Sequence, residues 1–358
     1  MKKEPRYVIY GAGNTGQLVL GCLTKMKQEV YGFLDRKGGD DCHRVSGRLV
    51  KSIDEAAADP VWKACRVVVA TFNPAAQMKP IVDALHQAGF SDVIDFFTFY
   101  QAQAVTLGDL YWLSTNPDLC RENTKRTANL RSMLADEKSK CLLDDIIHFR
   151  QSLDLTQIPT GEGEEHQYFP EDIPLPKQDV YFIDCGAFDG DTCGKLPSYF
   201  ENVRGFDCFE PDADNYRAMI NRLESVYPAK DLRKGYHQCG VLDSPTRLRF
   251  QPLGAGGRLS AEGDVTVECV RLDDVLPTHP PARPYLKMDI EGAELDALRG
   301  GARFIRDHAV DVAICVYHNP GHIWEAPEFL HSLRPDYRFY LRLYGENLFE
   351  TVLYGIAP

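Results

Sequence analysis

The sequence predicts an α/β protein of two domains, because one order of elements occurs twice: a strand, a glycine-rich turn, a helix and a second strand that ends in an acid. The first copy begins at residues 7–16 and closes at Asp35, and the second begins at residues 181–190 and closes at Glu210. Glycines in such turns let the backbone approach a nucleotide, and the carboxylate can bind ribose hydroxyls. A length of 358 residues also exceeds what a single core usually fills.

Composition and charge narrow the class of protein. An apolar content of 44% supports packed cores and argues against general disorder. The net charge of −12 and the lack of a basic stripe argue against nucleic acid as a partner. The longest apolar runs are far shorter than the roughly 20 residues of a membrane span. Eleven cysteines without a Cys-x-x-Cys pair, and a start without an apolar signal core, favour a reducing cytoplasm.

The first domain, residues 1–100, is predicted as a small Rossmann-like parallel sheet, because strands and helices alternate. Strands are expected at 7–10, 29–35, 66–71 and 92–96, and helices at 14–27, 53–58 and 74–88.

Residues 101–178 are predicted as a helical linker and loop. Apolar residues between 130 and 147 recur at roughly helical spacing, with charged residues between them. A polar stretch at 160–166 predicts a flexible loop, and three prolines follow it before the second domain.

The second domain, residues 179–358, resumes the alternation and ends differently. Residues 337–344 and 351–356 predict two strands joined by a short polar turn, which is an antiparallel hairpin. A parallel sheet with this ending is typical of class I methyltransferases and unusual for dehydrogenases. Before the hairpin, strands are expected at 180–185, 204–209, 235–241, 285–289 and 311–317, helices at 192–200, 212–226, 292–305 and 325–333, and an insertion with short strands at 246–276.

The two glycine turns differ in spacing. The first reads Gly11-x-Gly13-x-x-Gly16, the pattern that favours a pyrophosphate at a helix N-terminus. The second reads Asp184-x-Gly186-x-x-x-Gly190, with an acid at the end of the strand. S-adenosylmethionine carries an ammonium group and no phosphate, so the second pattern suits this cofactor better.

Four sequence blocks in the second domain resemble the FkbM-type S-adenosylmethionine-dependent methyltransferases: residues 182–192, 209–212, 271–275 and 285–294. The resemblance implies a class I fold and methyl transfer, mostly to hydroxyl groups of sugars or natural products. One position departs from the family, because Val316 stands where many members have a Glu. The acid role expected there is therefore absent or supplied elsewhere. The residues expected to contact the cofactor are Asp184, Gly186, Ala187, Gly190, Thr192, Glu210 and Asp289.

Three residues are candidates for catalysis because they follow strands whose carboxyl ends should meet at one edge of the sheet: Asp289, Glu291 and His318. His318 is the expected base, since the ordinary pKa of histidine lies near neutrality. Asp289 is expected to orient the acceptor or to act as the base instead. Structural alternatives stay open: Glu291 can favour the start of the next helix, Asp289 can cap it, and His318 can shape a turn.

The catalytic candidates could also form a Mg²⁺ site, as an alternative to catalysis without a metal. Carboxylates suit Mg²⁺, and the candidate ligands would be Asp289, Glu291, Glu294 and His318. Glu294 lies three residues after Glu291 and could equally face solvent.

The first glycine turn has its own candidate ligand, a nucleotide, a nucleotide-sugar or NAD, held by Gly11, Gly13, Gly16 and Asp35. The alternative is a vestigial or dimerising unit, which would give a homodimer. The sequence as a whole predicts a methyltransferase that modifies a hydroxyl of a sugar, glycan or related small molecule. The rivals are a nucleotide- or NAD-dependent sugar-modifying enzyme, for which no Tyr-x-x-x-Lys pair is found, and a non-catalytic nucleotide-sensing protein.

Overall fold

The structure is a computed structural model that describes residues 5–36, 38, 43–251, 258–259 and 265–358. The chain divides into two compact units. Unit 1 contains Met1–Glu122, Asp144–Glu162 and Gly345–Phe349, and unit 2 contains Asn123–Leu143, Gly163–Tyr344 and Glu350–Pro358. The range predicted as a linker, 101–178, is thus shared between the units. Residues 252–257 and 260–264 of the predicted insertion lie outside the described residues.

Unit 1 holds a six-stranded sheet in the order β3-β4-β2-β1-β5-β6, parallel except for the β3–β4 pair. Its central strands are continuous apolar runs, such as the fully buried residues 67–69, as is typical of parallel sheets covered on both faces. The strands are β1 (Tyr7–Tyr10), β2 (Val30–Leu34), β3 (Arg44–Val45), β4 (Arg48–Lys51), β5 (Arg66–Val69) and β6 (Val93–Asp95). The helices are α1 (Asn14–Lys25), α2 (Ile53–Ala57), α3 (Pro60–Lys63), α4 (Met78–Gln87) and α5 (Phe96–Leu107).

The helical periodicity predicted after residue 100 is confirmed. Three more helices follow α5: α6 (Leu119–Glu122), α7 (Thr124–Met133) and α8 (Glu137–Ser152).

Unit 2 holds a seven-stranded sheet in the order β16-β17-β15-β14-β7-β8-β9, in which β17 runs antiparallel to β15 and β16. The predicted α/β class and the closing hairpin are therefore confirmed. The strands of this sheet are β7 (Asp179–Cys185), β8 (Asn202–Phe209), β9 (Arg233–His237), β14 (Arg283–Met288), β15 (Asp311–Cys315), β16 (Arg338–Leu343) and β17 (Thr351–Ile356). A smaller sheet in the order β10-β13-β11-β12 contains β10 (Gly240–Val241), β11 (Thr246–Gln251), β12 (Arg258–Leu259) and β13 (Val265–Val270). The helices of unit 2 are α9 (Asp191–Lys195), α10 (Ala213–Val226), α11 (Leu272–Val275), α12 (Glu294–Gly300), α13 (Ala302–Asp307) and α14 (His322–Leu333).

The helix predicted at 292–305 is wrong in one respect that matters for the site. Two helices, α12 and α13, occupy this range, and α12 begins only at Glu294. Glu291 therefore does not start a helix but lies in the preceding turn with a φ of +55°. The N-cap of α12 is Ala293, and no side chain caps it, so Asp289 does not cap this helix either.

The parallel register brings the ends of four strands together. Cys185 at the end of β7 pairs with Phe209 at the end of β8 and with Met288 at the end of β14. Met288 in turn pairs with Ile314 near the end of β15. Loops that follow these strands therefore emerge at the same edge, where ligands of open α/β sheets bind.

Candidate functional site

A cavity of about 300 Å³ lies at this edge of the unit 2 sheet. Its size is at the lower end of the range for small-molecule sites. Among the described residues, one basic side chain lines the cavity, Lys287. The acidic side chains that line it are Glu164, Asp191, Glu210, Asp289, Glu291 and Glu350. This balance of charge favours a cationic ligand over a phosphate.

The glycine turn after β7 packs backbone against backbone with the turn after β14. Gly186 has a φ of +82°, and a Cβ atom there would lie 1.9 Å from the carbonyl oxygen of Asp289. The amide of Asp289 donates to the carbonyl of Cys185 at 3.1 Å. Only glycine allows both the left-handed backbone and this close approach, so the turn fixes the position of Asp289.

Glu210 follows β8 and is 6% exposed at the cavity wall. Its Oε2 accepts from the amide of Phe188 at 2.9 Å, and its Oε1 accepts from the amide of Asp212 at 2.8 Å. Burial raises the pKa of Glu210 to about 7, although the two amides oppose this shift. A carboxylate has about four lone-pair sites, so Glu210, which also receives a hydrogen bond from Asn215, can still accept from a ribose hydroxyl.

Asp184 lies beneath the cavity rather than on its wall. It is fully buried, and its Oδ1 is 3.0 Å from Nζ of Lys287. Lys287 also donates to the carbonyl of Gly186 at 2.6 Å. Burial raises the pKa of Asp184 to about 6, against the opposing charge of Lys287. Asp184 therefore anchors Lys287 and the glycine turn.

Sequence reasoning missed Lys287, although a signal was present. Lys287 is a charged residue within the buried part of β14, among Pro284, Tyr285, Leu286 and Met288, and it pairs in register with Asp184 on β7. A lysine and an aspartate facing each other in two buried strands predict a buried ion pair, because an unpaired charge there would be too costly.

The other predicted cofactor residues divide into two groups. Gly186, Thr192, Glu210 and Asp289 line the cavity. Ala187 and Gly190 shape the turn instead. Ala187 is 1% exposed, and Gly190 has a φ of +80° with side chains of α10 directly against it.

Glu294 lies at the centre of a buried ion cluster, contrary to the alternative that it faces solvent. Its side chain has no exposed surface. Its Oε1 lies 2.8 Å from Nδ1 of His318 and also accepts from the amides of Ile290 and Gly292, and its Oε2 lies 3.2 Å from Nδ1 of His322. Burial alone would raise the pKa of Glu294, but the two histidines hold it far below its usual range.

His318 is held in its charged form by carboxylates. Its Nε2 lies 3.5 Å from Asp289 and 3.7 Å from Glu291, in addition to the Glu294 contact. Burial by itself lowers the pKa of His318, but these three carboxylates outweigh it and raise the pKa to about 10. An imidazolium ion cannot accept a proton, so this environment argues against the predicted role of His318 as base.

Asp289 is oriented by an aromatic side chain that sequence analysis did not assign to the site. The hydroxyl of Tyr168 donates to Oδ2 of Asp289 at 2.9 Å. Glu350 also lines the cavity, and it accepts from the hydroxyl of Tyr317 at 3.0 Å and from Nε2 of Gln167 at 2.6 Å. No motif marks Glu350, because it precedes the antiparallel strand β17 instead of following one of the parallel strands.

Backbone strain concentrates at this cavity. Ten described residues other than glycine have a positive φ. Four of them line the cavity: Tyr168, Phe188, Glu291 and Glu350. Such conformations cost about 1–3 kcal/mol each and cluster at functional sites.

The candidate metal ligands do not fit Mg²⁺. One ligand atom from each of Asp289, Glu294 and His318 lies within 4.8 Å of the others. However, Nδ1 of His318 and Nδ1 of His322 lie 2.8 Å and 3.2 Å from the two oxygens of Glu294, so a metal bound to Glu294 would have to displace these contacts. Magnesium also prefers oxygen ligands in octahedral geometry. Asp289, Glu291 and Glu294 place three carboxylates against one imidazolium, so the cluster keeps a net negative charge.

The first glycine turn, in unit 1, is closely packed at Gly16 and open at Gly13. A Cβ atom at Gly16 would lie 1.9 Å from the carbonyl oxygen of Gly11, whereas one at Gly13 would meet no described atom within 4 Å. Oδ2 of Asp35 accepts from the amide of Ala12 at 3.1 Å. A ligand at this turn stays a prediction.

Among the described helices of the chain, none is long and apolar enough to cross a membrane.

The fold and the cavity together define unit 2 as an α/β domain of the class I methyltransferase type. Residues 184–345 match the family model of the methyltransferase FkbM domain. This match confirms the resemblance found in the sequence.

Comparison of structures supports the fold. The crystal structure of methyltransferase FkbM from Methylobacillus flagellatus KT matches with a TM-score of 0.77 and 22% identity, over 98% of this chain and 89% of that one. At this identity the likeness shows the fold alone. A precorrin-6y C5,15-methyltransferase from Geobacter metallireducens GS-15 matches with a TM-score of 0.30 and 13% identity, over 57% and 94% of the two chains, which is too low to support an argument. No curated protein sequence matches this chain.

Proposed function

We propose that unit 2 is an S-adenosylmethionine-dependent O-methyltransferase that acts on a hydroxyl of a sugar, a glycan or a related small molecule. The observation that carries this proposal is Glu210, a buried carboxylate held by two backbone amides at the wall of an acid-rich cavity. This arrangement suits the ribose of a cofactor that is otherwise cationic. When bound, S-adenosylmethionine supplies an electrophilic methyl group on a positively charged sulfur.

The residues of the cavity have separable roles in this proposal. Glu210 binds the ribose hydroxyls, and the turn at Gly186 lets the backbone approach the cofactor. Lys287 and Asp184 hold that turn from below. Asp289, positioned by Tyr168, orients the acceptor hydroxyl. Methyl transfer requires an in-line arrangement, so correct positioning contributes much of the rate.

We also place the reaction in the cytoplasm. All ten described cysteines are free, and nine of them are buried. Free thiols are typical of proteins in reducing compartments.

Isothermal titration calorimetry tests the cofactor assignment, with S-adenosylmethionine, S-adenosylhomocysteine, NAD and UDP-glucose as ligands. We expect the two methionine-derived ligands to bind and Glu210→Gln to weaken them about 10- to 100-fold, because hydrogen bonds to a charged group contribute roughly 1.5–3 kcal/mol. Glu201→Gln, on the exposed surface of unit 2, is the matched control and should bind normally. Absence of binding by both methionine-derived ligands would refute the proposal. Binding of NAD or UDP-glucose that is lost in Asp35→Ala would instead favour the rival site at the first glycine turn.

A further inference from the structure

We propose that Glu350 is the catalytic base that accepts the proton of the acceptor hydroxyl, an assignment that rests on the proposed function. Glu350 immediately precedes β17, the antiparallel strand beside β15. The next residue, Thr351, accepts through its carbonyl from the amide of Val316 at 2.9 Å. Glu350 therefore lies beside the segment that follows β15, at the edge of the sheet where the cavity opens.

The carboxylate of Glu350 lies at the cavity wall, close to that of Asp289. A carboxylate oxygen of Glu350 and one of Asp289 lie within 4.8 Å of each other. Oε1 accepts from Tyr317 and Oε2 accepts from Gln167, and each oxygen retains a lone pair for a further donor. A hydroxyl that donates to one of these carboxylates is thus within reach of the other.

The backbone conformation of Glu350 is energetically unfavourable. Its φ is +56°, a left-handed conformation that residues other than glycine rarely adopt. A residue held in this way at a cavity wall is typical of a functional position.

The electrostatic surroundings of Glu350 suit a base. Burial, and then the charge of Asp289, raise the pKa of Glu350 to about 7, while the hydrogen bonds from Gln167 and Tyr317 and the charge of His318 oppose this shift. A base is most effective when its pKa lies near the working pH. The other charged or titratable groups around this part of the cavity are Lys287, Tyr168, Cys315 and Glu291.

The neighbouring candidates are less suited to this role. The three carboxylates around His318 raise its pKa and so stabilise the protonated form, which has no lone pair to accept with. Asp289 receives the Tyr168 hydroxyl on Oδ2, a contact that orients it toward binding the acceptor. His318 and Asp289 are therefore positioning groups. Glu291 lies 3.7 Å from Nε2 of His318 as one of its counter-ions, and Glu350 is the carboxylate beside Asp289 that we assign as the base.

The proton and the electrons balance in a single displacement. The acceptor oxygen forms a bond to the methyl carbon as the carbon–sulfur bond breaks, and the electron pair of that bond stays on sulfur, which becomes a neutral thioether. The hydroxyl proton passes to the Glu350 carboxylate. The resulting carboxylic acid then releases the proton to solvent, which restores the base.

The first test observes the protein itself. We suggest ¹³C NMR of side-chain carboxyls in protein labelled on Glu and saturated with S-adenosylhomocysteine, for wild type, Glu350→Gln and the exposed control Glu165→Gln. Besides Glu210, whose pKa is also raised to about 7, we expect one resonance that titrates near pH 7 in wild type and Glu165→Gln and is missing in Glu350→Gln. Tyr317→Phe, which removes a hydrogen bond to the charged form, should move this titration to higher pH. If the resonance missing in Glu350→Gln titrates at the ordinary value for Glu, the assignment is overturned.

The second test measures transfer of a tritiated methyl group from S-adenosylmethionine to a panel of methyl glycosides. We expect Glu350→Gln to lose at least about 100-fold in rate while binding S-adenosylmethionine normally, and Glu350→Asp to recover part of the rate. Equal rates and equal pH profiles for wild type and Glu350→Gln would refute the role of Glu350. If wild type does not bind S-adenosylmethionine, it is the proposed function that fails. If wild type binds it but methylates no glycoside, the NMR titration decides.

Discussion

Nδ1 of His318 lies 2.8 Å from Oε1 of Glu294, and both side chains are almost completely buried. The same oxygen accepts from the amides of Ile290 and Gly292. Glu294 thereby ties the first turn of α12 to the loop that carries Asp289. One buried carboxylate thus sets both the charge of His318 and the shape of the loop at the cavity.

Replacing Glu294 by Gln should destabilise unit 2 by about 3–5 kcal/mol, because it removes the nearest of the three counter-charges of a buried imidazolium. Denaturant unfolding monitored by fluorescence measures the change. Asp296→Asn removes an exposed ion pair with Arg299 on the same helix and is the control. It should cost no more than about 1 kcal/mol. Similar losses in the two variants would contradict the ion cluster.

The stabilisation that the Glu294–His318 ion pair gives to the folded state should also depend on pH in a defined direction. The folded pKa of His318 is raised from 6.5 to about 10, so its contribution is complete below pH 6.5 and is lost as pH rises through 10. The folded pKa of Glu294 is lowered, so its contribution is present above 4.5 and is lost only in strong acid. The difference in unfolding free energy between wild type and Glu294→Gln should therefore shrink from pH 6.5 to pH 10. A constant difference over this range would show that His318 is neutral.

Lys287→Met should cost about 3–5 kcal/mol, because Asp184 would remain buried without a partner. Removing both charges in Lys287→Met/Asp184→Asn should cost less than the sum of the single changes. A double-mutant cycle of unfolding free energies measures this coupling. Lys195→Met, at an exposed ion pair with Asp191, is the control and should change stability by no more than about 1 kcal/mol. Additive costs for Lys287 and Asp184 would mean that the two charges do not depend on each other.

The first glycine turn allows a contrast between two alanine substitutions. Gly16→Ala would place a Cβ atom 1.9 Å from the carbonyl oxygen of Gly11, so it should destabilise unit 1 by roughly 2 kcal/mol or more. Gly13→Ala meets no described atom within 4 Å, so it should cost less than about 1 kcal/mol. Thermal unfolding of both variants compares them. Equal losses would show that the turn does not have the close packing described for it.

Much of the fold was predictable because its signals are local. The apolar strands and the hairpin were found from residue patterns of a few positions. The second glycine turn was also found from a local pattern. Gly186 and Gly190 have a left-handed backbone, which favours glycine over other residues and so leaves a mark in the sequence. The start of α12 was placed too early, because the turn at Glu291 is stabilised by Glu294 from inside the protein rather than by a local cap.

The site was predictable only where motif and strand order coincide. Glu210 and Asp289 follow strands directly, and the structure brings both to the cavity wall. Glu350 and Tyr168 reach the same wall from segments that do not follow a parallel strand of the sheet. Val316 cannot provide the acid role expected after β15. Its amide donates to the carbonyl of Thr351, the residue after Glu350, so Glu350 is placed to supply that role from the neighbouring strand.

The sequence by itself therefore determined the α/β class, the closing hairpin and the family of residues 184–345, because repeated local patterns encode strands, turns and helices. Only the tertiary structure decided the state of the ionisable groups. The charge of His318, the pairing of Asp184 with Lys287 and the environment of Glu350 all depend on burial and on carboxylates that are distant in the chain. Electrostatic energies follow distance and solvent exposure in space, and spacing along the sequence records neither.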